Sequence, residues 1–272
     1  MFNHGAVGRL DVLLRTFRYG NAGTTAIQKP LLGTRGGGGR GALRRAMSVA
    51  TSPSAKPLLL YTWGTPNGKK ASIMLEELKA MYGLDYDVHP INISTNVQKE
   101  PWFINLNPNG RIPVLVDRNR ADFAVFETAA ILLYLEQHYD TQRKFGFDPA
   151  TQADDYSRMV QWMFFVHGGV GPMQGQLNHF ARFAPENIPY AKKRYLDETR
   201  RLYGVLDIGL EGRDWLAGPD RGTYSIADMN GFPWVASHGF AGIETLNEWP
   251  NVKAWVERCS ERPAVRAGLQ VP

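Results

Sequence analysis

Three short stretches of this 272-residue chain could do chemistry, and two of them place polar side chains where the local pattern changes. Gly64-Thr65-Pro66-Asn67 separates a short apolar run from an amphipathic one. A hydroxyl and an amide at a helix start either cap the helix or, with its free N–H groups, help to hold an anion. Both roles remain open on these residues alone. Glu127-Thr128 heads a second apolar-faced pattern. A hydroxyl beside helix N–H groups suits a carboxylate, and a glutamate suits an ammonium; capping is again the alternative. Between them lies Ile112-Pro113. A cis proline there would free the Ile112 backbone to pair with an extended ligand as an added strand, whereas a trans proline would simply open a strand.

Other chemistries are narrowed by composition. The chain has one cysteine, Cys259, so an internal disulfide, a Cys-x-x-Cys redox centre and a cysteine-based metal site are excluded. The expected compartment is reducing, or one where oxidation is not needed. No metal-ligand spacing links the six histidines, and no metal is expected. The net charge of +5 misleads. Residues 1–46 carry eight Lys/Arg and one acid, a net of +7, which leaves −2 for the remainder. The folded part therefore carries no basic signal for nucleic acid. No apolar run is long enough for a membrane span.

Residues 1–55 form a leader rich in Gly and Arg, and the Arg35-Gly-Gly-Gly-Gly-Arg40 run buries nothing. Its amphipathic, arginine-rich start, with Leu10, Leu13, Leu14 and Phe17 at helical spacing, resembles a mitochondrial transit peptide. A disordered tail, or a start at Met47, is the other reading. Location is accordingly mitochondrial or cytoplasmic.

The elements that must position the polar stretches follow from periodicity. Leu58–Trp63 reads as a buried strand, and Ala71, Met74, Leu75, Leu78 and Tyr82 mark a helix that ends before Gly83. Tyr86–Ile91 is a second strand, which predicts a right-handed parallel crossover. A short helix over 101–105, a hairpin over 112–117 and 122–126, and a helix over 127–139 complete a β-α-β-α-β-β-α domain, residues 57–140. A polar linker, 141–151, leads to an all-helical region, 152–272. Its predicted helices cover 153–183, broken near 168–172, then 189–212, 226–237 behind the Ser225-x-x-Asp228 capping box, and 250–261, ended by Pro263.

Five segments in this order resemble glutathione transferases: Asn107-Pro-Asn-Gly-Arg-Ile-Pro113, Phe126-Glu-Thr-Ala-Ala-Ile131, Tyr224-Ser-Ile-Ala-Asp228, Trp249-Pro-Asn-Val-Lys-Ala-Trp255 and Arg262-Pro-Ala-Val265. Thr65-Pro-Asn-Gly68 and Gly168-Gly-Val-Gly-Pro-Met-Gln-Gly-Gln176 resemble the nu class. That branch includes bacterial disulfide-reducing transferases and the fungal group around a nitrogen-regulator prion protein. The resemblance spans residues 57–270. It implies a thioredoxin-like N-terminal domain, an all-helical C-terminal domain and a homodimer. It also implies glutathione as co-substrate, with a small hydrophobic electrophile or a disulfide as partner.

By the same resemblance, Thr65 and Asn67 are the catalytic pair that donates to the glutathione sulfur. Gln98, Ile112, Pro113, Glu127, Thr128 and Arg194 bind the rest of the tripeptide, Gln98 at its glycyl end. Arg194 reads equally as a solvated helix charge, and Asn109 and Arg111 equally as turn residues. His167, Asn178 and His179 are further candidates to face a cleft. Met159, Trp162, Met163, Phe164 and Phe165 either line an electrophile pocket or pack as core. The implied activity is thiolate attack on electrophiles. Reduction of disulfides or peroxides, and glutathione binding without catalysis, are the alternatives.

Overall fold

The computed structural model describes residues 55–272; the leader, with its transit-peptide reading, lies outside the described residues. Strand β1 (Leu58–Thr62) alternates buried and half-buried side chains, as a period of two requires. Leu58 and Leu60 enter the large core, while Leu59 and Tyr61 pack on the opposite sheet face around Phe103. The first helix, α1 (Pro66–Tyr82), runs between the sheet and the helical region. It is followed by β2 (Tyr86–Pro90), α2 (Pro101–Leu106), β3 (Val114–Asp117), β4 (Phe123–Phe126) and α3 (Thr128–Tyr139). The sheet order is β2-β1-β3-β4; β1 and β2 are parallel, and the β1/β3 and β3/β4 pairs are antiparallel.

Local chemistry sets the ends of α1. The Thr65 hydroxyl oxygen accepts from Gly68 N at 3.1 Å, Pro66 fills the first turn, and Gly83 closes the helix in the left-handed conformation at φ 70°. Gly68 must be glycine for another reason. A Cβ there would lie 2.1 Å from the Trp63 carbonyl oxygen, so the end of β1 and the start of α1 approach more closely than any side chain allows. That contact fixes the turn that carries Thr65 and Asn67.

The connection after α3 is tied down. Asp140 accepts from Lys144 N and Phe145 N at 2.9 and 2.7 Å, and Phe145 and Phe147 are buried. The helical region contains α4 (Ala153–Phe165), α5 (Gly171–Asn178), α6 (Pro189–Gly209), α7 (Ile226–Ala236), α8 (Pro250–Glu261) and α9 (Pro263–Gln270). Buried residues of α1, α3, α4, α7 and α8 form one continuous apolar cluster, with α7 at its centre. The capping box is present, and the buried Asp228 carboxylate also accepts from Leu216 N at 3.1 Å and Trp255 Nε1 at 2.9 Å.

One expectation needs correction. The chain does not break near 168–172; it passes from α4 to α5 through a π turn, Val166–Val170, whose residues keep helical geometry. Gly168-Gly169 widens the turn without interrupting it. Helix α8 ends at Glu261, just before Pro263 as expected, but one further helix follows it. Arg262 is extended, and Pro263 then opens α9 as its first residue. Helix α9 lies against α1, where a Cβ on Gly268 would sit 2.6 Å from Ile73 Cα.

Candidate functional site

Asn67 at the start of α1, Ile112-Pro113 before β3 and Glu127-Thr128 at the start of α3 meet along one cleft of about 580 Å³. Its far wall is α5 with the π turns on either side of it, through His167, Gly171, Gly175 and His179. A smaller cavity of about 180 Å³ joins Thr65, Pro66 and Asn67 to Ile93, Gln98 and Ile112. Arg111 and Trp234 line both spaces.

The orientation of Asn67 is settled by Trp234. The indole Nε1–H can only donate, and it reaches Asn67 Oδ1 at 2.9 Å. The amide nitrogen of Asn67 is therefore left to donate, and no acceptor among the described residues takes it. The Trp234 ring is held in turn by α5. Gly171 and Gly175, one turn apart, lie where a Cβ would come within 3.1 and 3.4 Å of the indole. These two glycines of the 168–176 motif thus have a packing role behind the site.

Thr65 takes the capping role and keeps a donor in reserve. Its oxygen caps Gly68 N, and its hydroxyl proton remains free for an acceptor. At α3 the capping alternative fails. Glu127 occupies the cap position at φ 69°, and its side chain makes no cap bond; its carboxylate instead meets His167 Nε2 at 3.0 Å. The N–H groups of the first turn of α3 therefore face the cleft uncapped, next to the Thr128 hydroxyl, which is an anion site by geometry.

The Ile112–Pro113 bond is cis. The ladder between β1 and β3 begins at Val114, and no ladder or turn bond among the described residues uses the Ile112 backbone. Gln98 is buried; its Nε2 donates to Ile93 O at 3.1 Å, and its Oε1 has no partner. A buried acceptor without a donor is costly, and this one lies beside the smaller cavity. Asn109 and Arg111 combine their two readings. They follow the turn that Asn107 pins through Arg111 O and Asn109 N, and both line the cleft.

Arg194 is not brought to this cleft. It is exposed on α6 and lines a separate depression with Met173, Tyr190 and Arg201. The aromatic stripe of α4 resolves as core. Met159 and Met163 are buried in the large cluster, Trp162 and Phe165 pack against it, and Phe164 is 65% exposed. Asn178 keeps a buried oxygen without a partner but does not line the cleft. Cys259 is buried in α8, and burial pushes its thiol well above the ordinary range. Among the described residues no His/Cys/Asp/Glu group is placed to hold a metal, and no helix is long and apolar enough to cross a membrane.

Sequence reasoning passed over Trp234 and Lys70. Trp234 sits in an apolar helix that reads as core throughout. Lys70 had a usable signal. It lies four residues before Met74, on the buried stripe of α1, where a lysine is out of place.

A thioredoxin-like sheet domain and a helical domain enclosing this cleft define the class, and the sequence comparisons agree. Residues 56–137 match the glutathione S-transferase N-terminal domain, and residues 172–263 match its C-terminal domain. The chain belongs to the glutathione S-transferase family. It is similar to the disulfide-bond oxidoreductase YfcG of Escherichia coli, with 40% identity over 214 residues, 77% of this chain and 93% of the relative. A glutathione transferase homolog from Lodderomyces elongisporus, solved with two glutathiones per subunit, superposes with a TM-score of 0.74. It is 38% identical and covers 80% of this chain and 99% of its own. The transferase URE2P8 of Phanerochaete chrysosporium, solved with oxidized glutathione, gives a TM-score of 0.73 at 33% identity, over 80% and 95% of the two chains.

Proposed function

We propose that this chain binds glutathione in the cleft, holds its sulfur as a thiolate at the Thr65–Asn67 turn, and delivers that thiolate to disulfides. The observation that carries the reading is the Trp234–Asn67 bond, which turns an amide donor out of the protein at a helix start. A free thiol has a pKa of about 8.5, and each pH unit of lowering takes roughly 1.4 kcal/mol of preference for the anion. The Asn67 amide, the Thr65 hydroxyl and the N-terminal dipole of α1 together supply that preference. The γ-glutamyl carboxylate goes to the first turn of α3 with Thr128, and its ammonium goes to Glu127. The cysteinyl backbone pairs with Ile112, and Gln98 Oε1 accepts from the glycyl amide N–H.

Disulfide reduction is favoured over conjugation by the walls of the cleft. Beyond the turn they carry Asn109, Arg111, Gln176 and His179, while the aromatic side chains of α4 are turned into the core or away. A polar wall suits a peptide-like partner better than an apolar electrophile. In the reaction, the glutathione thiolate attacks one sulfur of the disulfide, the S–S bond breaks, and the departing thiolate takes a proton. A second glutathione thiolate then attacks the mixed disulfide and releases the second thiol. Two glutathiones are oxidised to one glutathione disulfide, and one disulfide is reduced to two thiols.

Conjugation is the second reading. It is favoured by the smaller cavity, where Pro66, Ile93 and Ile112 give an apolar lining next to Thr65. Parallel assays with hydroxyethyl disulfide, an organic hydroperoxide and an aromatic halide separate the readings. Turnover is expected to be highest with the disulfide. Turnover with the halide alone would replace disulfide reduction by conjugation, and absence of glutathione binding would remove both. A homodimer, in either mitochondrion or cytoplasm, completes the proposal on the resemblance alone; sedimentation of the full chain as a monomer would remove the dimer.

A further inference from the structure

The floor of the cleft holds a cation with no counter-charge. Lys70 is 1% exposed, and its Nζ contacts the Thr128 hydroxyl at 3.4 Å. No carboxylate among the described residues lies within ion-pair distance of it. Glu127, the nearest acid in effect, holds His167 through Oε2 and lies beyond ion-pair distance of Lys70. The neighbouring Lys69 turns away and donates to the Val271 carbonyl beyond α9. On α7 the Asp228 carboxylate is turned to Leu216, Ser225 and Trp255, while β1 presents Thr62 and apolar side chains to this core. Arg111 and His179 are the other titratable groups on the same cleft.

Burying an ammonium without a partner is costly unless something supplies the missing charge. Lys70 lines the cleft beside the uncapped first turn of α3, with the Thr128 hydroxyl between them. We propose that Lys70 is an additional binding residue, whose ammonium pairs with the ligand carboxylate held by Thr128 and the first turn of α3. This rests on the glutathione-binding reading and extends it. The site takes α-amino carboxylates, because Glu127 offers the matching acceptor for the ammonium.

A proton linkage follows. In the empty cleft, burial lowers the Lys70 pKa to about 7, against a smaller opposing pull from Glu127. A carboxylate arriving beside it restores the charged form. Ligand entry at alkaline pH must then bring a proton with it, so affinity falls as pH rises above about 7, by up to about tenfold per pH unit.

Titration calorimetry of the full chain with S-methylglutathione tests this, because the thioether removes the thiol as a proton source. Heats are compared in buffers of different ionisation enthalpy. Native protein is expected to take up close to one proton at about pH 8 and almost none at about pH 6. Lys70→Met should abolish the uptake, flatten the pH dependence and weaken binding by ~10-fold or more at about pH 6. Lys70→Arg should bind with no uptake, since a guanidinium stays charged. His167→Gln should keep the uptake. Native binding without uptake, or uptake that survives in Lys70→Met and vanishes in His167→Gln, would overturn the assignment to Lys70. Failure of the native chain to bind S-methylglutathione would overturn this proposal together with the glutathione reading.

Discussion

Replacing Asn67 by alanine is expected to lower kcat for glutathione-dependent disulfide reduction by ~100-fold or more, with a much smaller change in the KM for glutathione. The size follows from the job the amide does. Removing one preorganised donor aimed at a reacting anion typically costs about 2.7–4 kcal/mol. Asn67 is preorganised because Trp234 Nε1 holds its Oδ1 at 2.9 Å, so the amide nitrogen does not have to reorient when the sulfur becomes charged. Binding of the tripeptide rests mainly on other groups, at Ile112, Thr128 and the first turn of α3. KM should therefore move little, a split that loss of fold would not produce. Trp234→Phe should fall between native and Asn67→Ala, because it keeps the donor and frees its rotation. Equal kcat in the native protein and Asn67→Ala would take Asn67 out of the chemistry.

The second large effect is expected at Asp228, far from the ligand. Its two oxygens accept from Leu216 N, Trp255 Nε1, Ser225 N and Ser225 Oγ in a fully buried setting at the head of α7. In Asp228→Asn an NH₂ group faces two of those donors, and they are left without acceptors. The cost is ~2–4 kcal/mol at neutral pH, or a drop of ~5–15 °C in Tm for a chain of this size. Burial raises the Asp228 pKa to about 6, against its four donors, from an ordinary 3.8. The native fold thus binds this proton more tightly than the unfolded chain between those values. The stability this linkage contributes is fully present below 3.8 and is lost as pH rises through about 6. Asparagine lacks that linkage, so its deficit should be largest in acid and narrow towards neutrality. A melting series over pH checks both the size and the slope; a deficit that widens towards neutrality would contradict the assigned carboxylate role.

Much of this was legible in the residues. The apolar run at 58–63, the helix mark of Gly83 and the Ser225/Asp228 box are local signals, and each produced the element expected of it. The site was legible as two polar helix starts and one proline, because capping chemistry and anion binding use the same residue types. What escaped depended on the third dimension. Pro263 stops α8 as read, but the same proline also opens α9 once Arg262 takes an extended backbone, and that second role went unread. Gly168-Gly169 reads as a break, but neighbours packed on both sides hold it as a π turn. The stripe of α4 was ambiguous because period alone does not say which neighbour covers an apolar face. Trp234 reads as core and touches the site, while Arg194, read equally as a ligand group and a solvated charge, is exposed beside a different depression.

The central claim is that the strand-to-helix turn stabilises a bound sulfur anion. Titrating the thiolate absorbance of glutathione on the saturated protein measures it directly. In the native chain the bound thiol should ionise ~1–2 pH units below its free value of about 8.5, and Asn67→Ala should return it most of the way. A bound thiol that ionises at the free value in the native chain, or an identical titration in the two proteins, would contradict the account.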